Sequence, residues 1–324
     1  MLIYLCLLEC AHRLSKYPAM ASLSHRQGWS FAVLLAIFPV FLHARADKDS
    51  PAIAYRTGTS EVRVTFFATD QNNRLVENVD GNDFAVVDGG MVIREFRSLV
   101  RSDETKLDIV LLIDASESVA PRFRAMTDQV LRLVTQKHRS DDLSIITFSG
   151  LKPAVLCNAD CETSAIENKL RSLNPGGSTP LYDSLALTTE FLNQRRTPGV
   201  RQVLILLSDG NDTISGSSAN QAVDAVAGSG ALLYTVNPNK SIQDPKGSLA
   251  LQKMADATGG RSFSAQDDVG QVIETALADL RNSYVVTYAL PSRAAGFHSL
   301  RILPKHNLTL RFHCRRGYFY EEAR

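Results

Sequence analysis

Five side chains carry the chemistry this sequence can be expected to do. Asp114, Ser116 and Ser118 fall in the run Asp114-Ala115-Ser116-Glu117-Ser118, Thr179 follows Gly176-Gly177-Ser178, and Asp209 opens Asp209-Gly210-Asn211-Asp212. Two carboxylates and three hydroxyls are hard oxygen donors. They suit Mg2+ or Mn2+ and match zinc or copper poorly, since those ions favour nitrogen and sulfur. Mg2+ takes an octahedral oxygen shell, so a site with only two charges would leave it incompletely neutralised and open to a carboxylate from outside. Catalysis is less well supported. No Gly-x-Ser-x-Gly elbow surrounds either serine, no Gly-x4-Gly-Lys phosphate loop is present, and the acids beside the site are Glu117 and Asp212.

Ser and Asp are also ordinary helix caps, so Asp-x-Ser-x-Ser alone says little. The surrounding elements change that. Leu107 to Ile113 is almost wholly aliphatic, the mark of a central parallel strand buried on both faces. Strand-like runs at Leu143 to Phe148, Gln202 to Leu207 and Ala231 to Val236 alternate with helix-like runs at Ala120 to Lys137, Leu181 to Asn193, Ala219 to Ala227, Ser248 to Thr258 and Val269 to Arg281. Repeated βα units predict an α/β fold, a doubly wound, mostly parallel, Rossmann-like sheet with helices on both faces. Ligands bind such sheets at the carboxyl ends of the strands. The loops bearing the five residues all open at that edge.

Outside this region the pattern changes to β. Val62, Val64, Phe66 and Ala68 alternate with more polar residues, Phe84 to Val87 runs into Asp88-Gly89-Gly90, and Met91 to Phe96 follows, giving a strand and then a hairpin. The tail reads as strands at Tyr284 to Leu290, Ser299 to Leu303, Leu308 to Cys314 and Tyr318 to Tyr320. The expectation is a small antiparallel β module built from residues 55–100 and 284–320, with the α/β domain inserted. The corresponding boundaries are 47–106, 107–283 and 284–324. In the last long strand Cys314 would share a face with Leu308, Leu310 and Phe312 as a buried, inert thiol.

The order Asp114-x-Ser116-x-Ser118, Thr179, Asp209 resembles the metal-ion-dependent adhesion site of von Willebrand factor type A domains over about residues 107–285. Asn82-Asp83-Phe84, Asp88-Gly89 and Arg316-Gly317-Tyr318 add a resemblance to a secreted bacterial group of such proteins recognised mainly in acidobacteria. The likeness implies that Ser116, Ser118 and Thr179 coordinate the metal directly, with Asp114 and Asp209 acting through water or by orienting the hydroxyls. It further implies a binding module whose protein partner supplies a carboxylate, with release coupled to a shift of the last helix, and no catalysis. Two alternatives stay open: a scaffold whose metal is purely structural, and a metal-dependent hydrolase with Glu117 or Asp212 as base.

Composition narrows the setting. With 44% hydrophobic and 21% charged residues the chain is neither disordered nor fibrous, and 35 basic against 34 acidic residues give no electrostatic footprint for nucleic acid. Trp29 to Leu42 is apolar, preceded by His25-Arg26 and followed by Ala44-Arg45-Ala46. That is the order of a signal peptide over residues 1–46, and the run is shorter than the roughly 20 residues a bilayer crossing needs. Met20 lies just upstream, so residues 1–19 are an over-extended start. Cleavage would give a secreted or periplasmic chain; retention would leave an anchor. In that oxidising setting Cys157 and Cys161 could close a disulfide loop, since no second pair of ligands accompanies them for zinc.

Overall fold

The computed structural model describes residues 60–102, 106–136, 142–151, 153–159, 162–239, 245–264 and 269–320. The signal segment and Cys161, and with it the expected disulfide, lie outside the described residues. The first strand, β1 (Glu61–Thr69), buries Val62, Val64, Phe66 and Ala68 on one face. Next come β2 (Leu75–Val76), β3 (Phe84–Asp88), β4 (Met91–Ile93) and β5 (Ser98–Arg101). Gly89 and Gly90, both at positive φ, turn β3 into β4.

The chain then enters the α/β region with β6 (Leu107–Asp114), buried at every residue. It continues through α1 (Ala120–Gln136), β7 (Asp142–Phe148), β8 (Ala154–Cys157), α2 (Thr163–Ser172), α3 (Leu181–Gln194) and β9 (Arg201–Leu207). After these come α4 (Ala219–Ser229), β10 (Leu232–Asn237), α5 (Pro245–Thr258), β11 (Ser262–Ser264) and α6 (Val269–Arg281). The last four strands are β12 (Tyr284–Ala289), β13 (Gly296–Pro304), β14 (Arg311–Cys314) and β15 (Gly317–Tyr320).

The α/β region is a six-stranded sheet in the order β11-β10-β9-β6-β7-β8, parallel throughout except for the antiparallel β7–β8 pair. Ile109, Leu111 and Ile113 of β6 face a core filled by α1, α2 and α6, while Val110 and Leu112 face α3, α4 and α5. Strand side chains alternate between faces, so a central strand covered on both sides must be aliphatic at nearly every position. Strand order reverses at β6, which has β7 on one side and β9 on the other. The loops after β6 and β9 therefore open beside each other, and they carry Asp114 and Asp209.

The remaining strands form two antiparallel sheets: β14-β1-β12-β5, with β2 also on β1, and β15-β13-β3-β4. Val64, Phe66, Phe84, Val86, Tyr288 and Ile302 lie among the buried side chains of the core these strands share. The chain leaves this module after β5 and returns in β12, and these two strands pair antiparallel with Arg101 opposite Tyr284. Departure and return are thus side by side, which lets the α/β region fold between them without disturbing the sheet.

Three local features differ from the sequence reading. The helix α2 and the short strands β2, β5, β8 and β11 were not expected. The strand expected from Leu308 begins only at Arg311: the amide of Leu310 turns back to Asn307 O at 3.1 Å, and Leu308 is 77% exposed. Cys314 is half-buried and shares no strand face with Leu308; burial still pushes its thiol up to about 11, which keeps it protonated and unreactive.

Candidate metal centre

Asp114 ends β6 with its side chain fully buried. One carboxylate oxygen accepts the Ser116 amide at 2.9 Å, and the other accepts the Ser208 hydroxyl at 2.7 Å. The first bond folds the chain back so that Ser116 and Ser118 present their hydroxyls together, 3.2 Å apart. Ser116 is fully buried and Ser118 is exposed, so the pair runs from the interior to the surface. The second bond ties the end of β6 to the end of β9.

Thr179 arrives on a different loop, held from both sides. Gly176 N donates to Ala115 O at 2.8 Å, Glu117 N to Gly177 O at 3.2 Å, and Gly150 N to Ser178 O at 2.8 Å. Thr179 in turn exchanges bonds with Thr213, whose hydroxyl accepts the Thr179 amide at 2.7 Å and whose amide donates to Thr179 O at 2.9 Å. Gly177 has φ 80°, a backbone state that a side chain would disfavour. Thr179 itself is 3% exposed, and its hydroxyl is not spent on any of these bonds.

Asp209 follows β9 and is 4% exposed. Its oxygens accept the Asn211 amide at 3.1 Å and the Asn239 side-chain amide at 3.4 Å. The next residue, Gly210, has φ 83°, and a Cβ there would run into the Gly247 carbonyl and the Leu251 side chain of α5. Only glycine lets this loop sit down on α5 and hold Asp209 at the sheet edge.

The electrostatics point one way. Burial raises the Asp114 carboxyl above the ordinary carboxylate range, hydrogen bonds from Ser116 and Ser208 oppose the rise, and the charge of Asp209 adds to it. Among the described residues no Lys, Arg or His pairs with either carboxylate. Nor, among them, do three His, Cys, Asp or Glu side chains gather to hold a metal. The donor set therefore depends on hydroxyls, and hydroxyls with two acids suit a hard cation such as Mg2+ or Mn2+. Ser208 and Thr213 belong to this arrangement though the sequence did not single them out. Ser208 could have been suspected from its place at the end of the aliphatic run ahead of Asp209.

The other acids at this edge are structurally engaged. Asp212 accepts the Tyr182 amide at 3.2 Å, the Ser215 amide at 3.1 Å and the Ser215 hydroxyl. Asp183 accepts the amides of Gly216 and Ser217, both at 2.9 Å. Glu117 is exposed.

The chain is 30% identical over 125 residues to the magnesium-chelatase 67 kDa subunit of Chlorobaculum parvum, covering 38% of this chain and 19% of that one. It is 26% identical over 152 residues to the 60 kDa subunit of Rhodobacter capsulatus, covering 42% and 27%. It thus spans only about a fifth to a quarter of those relatives. Similar solved structures include a von Willebrand factor type A protein from Catenulispora acidiphila, at 12% identity over 82% of this chain and 76% of that one, TM-score 0.45. Another is the manganese-loaded TRAP protein of Plasmodium vivax, at 17% identity over 68% and 96%, TM-score 0.43. Residues 109–211, which run from β6 through the loop bearing Asp209, match the family model of the von Willebrand factor type A domain.

Proposed function

We propose that this protein is a secreted or periplasmic binding module that recognises an acidic side chain of a protein partner through a Mg2+ or Mn2+ held by Ser116, Ser118 and Thr179, with Asp114 and Asp209 behind them. The observation that carries the proposal is the pair of buried carboxylates with hydroxyls gathered beside them and, among the described residues, no protein cation against them. A bound divalent ion would supply the missing positive charge and an outward coordination position for the partner's carboxylate. Asp114 sets the turn that aligns the two serines, and Thr213 and Gly177 hold Thr179 toward the same edge. Interaction modules are the usual role of this domain family, and the signal-like N-terminus supports placing it outside the cytoplasm.

Calorimetric titration with MgCl2 and MnCl2 tests the site. Wild-type protein should bind one ion and Asp114→Ala should bind none while keeping its circular dichroism spectrum; Mg2+ affinity retained in Asp114→Ala would refute the assignment. A pulldown from envelope and extracellular fractions, with and without EDTA, then tests the partner. The identity to magnesium-chelatase subunits supports a second reading, in which the domain is the docking part of a multi-subunit enzyme. In that case the proteins lost on chelation would be enzyme subunits rather than surface or matrix proteins.

A further inference from the structure

A cavity of about 400 Å³ lies at the opposite edge of the parallel sheet from the metal centre, where β9 and β10 begin. Arg196, Arg201 and Arg315 line it, and among the described residues no Asp or Glu does. Its size falls within the range of small-molecule sites, roughly 300–1,000 Å³. Arg196 donates to Ser229 O, and Arg201 donates to Leu280 O at 3.2 Å and to the hydroxyls of Ser283 and Ser102. These partners are all neutral. Burial lowers the pKa of Arg201, against an opposing pull from Tyr234.

Helix ends offset only part of this positive charge: Arg196 bonds Ser229 O at the end of α4, and Arg201 bonds Leu280 O in the last turn of α6. α4 and α5 both finish beside the cavity, and carbonyls at helix C-termini carry partial negative charge. Several are already satisfied within the protein: Ser229 Oγ donates to Val226 O at 2.7 Å, Thr258 Oγ to Ala255 O at 2.9 Å, and Gly230 N to Ala227 O at 3.4 Å. Thr65 of β1 and Arg315, between β14 and β15, bring the β module to the same cavity. Guanidinium groups recognise planar and tetrahedral oxyanions through paired N–H donors, and they are the usual choice for carboxylate and phosphate sites.

We propose that this cavity is a binding site for a small organic oxyanion, a carboxylate or a phosphate ester, engaged by Arg196 together with the other cavity arginines. The ligand would join the α/β domain to the β module at the edge away from the metal. The site does not depend on a metal at Asp114.

The test is calorimetry on the full chain in metal-free chloride buffer, with inorganic phosphate and citrate titrated separately across the millimolar range. Saturable binding of phosphate alone assigns a phosphate ester, and of citrate alone a carboxylate. Arg196→Gln should weaken whichever binds by about tenfold, the loss expected of one charge-assisted hydrogen bond. Arg196 is exposed, so this variant should fold, which a thermal melt checks. Absence of saturable binding by both anions overturns the proposal, and so does equal affinity in Arg196→Gln and wild type.

Discussion

Asp114 and Asp279 are both fully buried, yet the protein treats them in opposite ways. At the junction of α6 with the β module, Asp279 takes two bonds from the Arg261 guanidinium, at 2.8 and 2.9 Å, and faces the Tyr234 hydroxyl at 3.3 Å. The same guanidinium donates to Asn73 O at 2.8 Å and lies over the rings of Phe67 and Phe263. At the metal edge Asp114 has an amide and a hydroxyl, and the charge that acts on it is that of a second carboxylate, Asp209. A buried charge with an opposite partner locks elements together. One without a partner is tolerated where something from outside will supply it.

The same substitution at both positions puts this contrast at risk. Asp279→Asn leaves Arg261 buried without its counter-charge and should cost about 3–5 kcal/mol of unfolding free energy. The measurement is urea denaturation near pH 8, above the value of about 7 to which burial pushes the Asp279 carboxyl against the pull of Arg261. Asp114→Asn in EDTA should change stability by less than about 1 kcal/mol, because it removes a charge that no cation among the described residues compensates. Its effect should emerge when Mg2+ is added. Wild type should gain about 2.7 kcal/mol at a hundredfold excess over the dissociation constant, and the variant nothing. If Asp114→Asn destabilises the metal-free protein as much as Asp279→Asn does, Asp114 is a structural residue and the contrast fails.

The sequence revealed these regions unequally. The metal edge is local in sequence: Asp114, Ser116 and Ser118 span five positions after a continuous aliphatic strand, and that continuity alone implies a covered parallel strand whose end is a binding edge. Asp209 follows the second such strand for the same reason. Thr213 had no such signal, because its contact with Thr179 depends on how two loops settle against each other. The junction was invisible. Arg261, just ahead of β11, and Asp279, in α6, sit 18 residues apart, and Asn73 is 188 residues from Arg261. Asp88 shows the same limit: it reads as the first residue of a hairpin turn, yet its carboxylate is fully buried and accepts hydroxyls from Tyr288 at 2.8 Å and Tyr318 at 2.9 Å. Only the fold brings partners 200 and 230 residues away to it. The helix α2 escaped notice because its apolar stripe within the domain core is thin, resting on Ile166 and Leu170.

His313 offers the smallest and most selective probe of the junction. It stacks on Phe67 with centroids 4.6 Å apart, and a ring nitrogen meets the Thr69 hydroxyl at 2.9 Å. Burial pushes its pKa down to about 4, helped by the positive charges of Arg261 and Arg311. The unfolded chain protonates this histidine near its ordinary value of about 6.5. A depressed folded pKa means that acid favours the unfolded state, so the contribution to stability is complete above about 6.5 and is lost as the pH falls toward 4. Wild type should lose about 1–2 kcal/mol over that window beyond what His313→Gln loses, a figure reduced for partial exposure of the ring. Glutamine can still bond Thr69 but cannot take the proton. Thermal melts of both proteins between pH 7 and pH 4.5 should therefore diverge steadily toward acid. Parallel curves would mean that His313 accepts its proton in the folded state, and that Arg261 spends its charge on Asp279 so fully that none reaches the neighbouring ring.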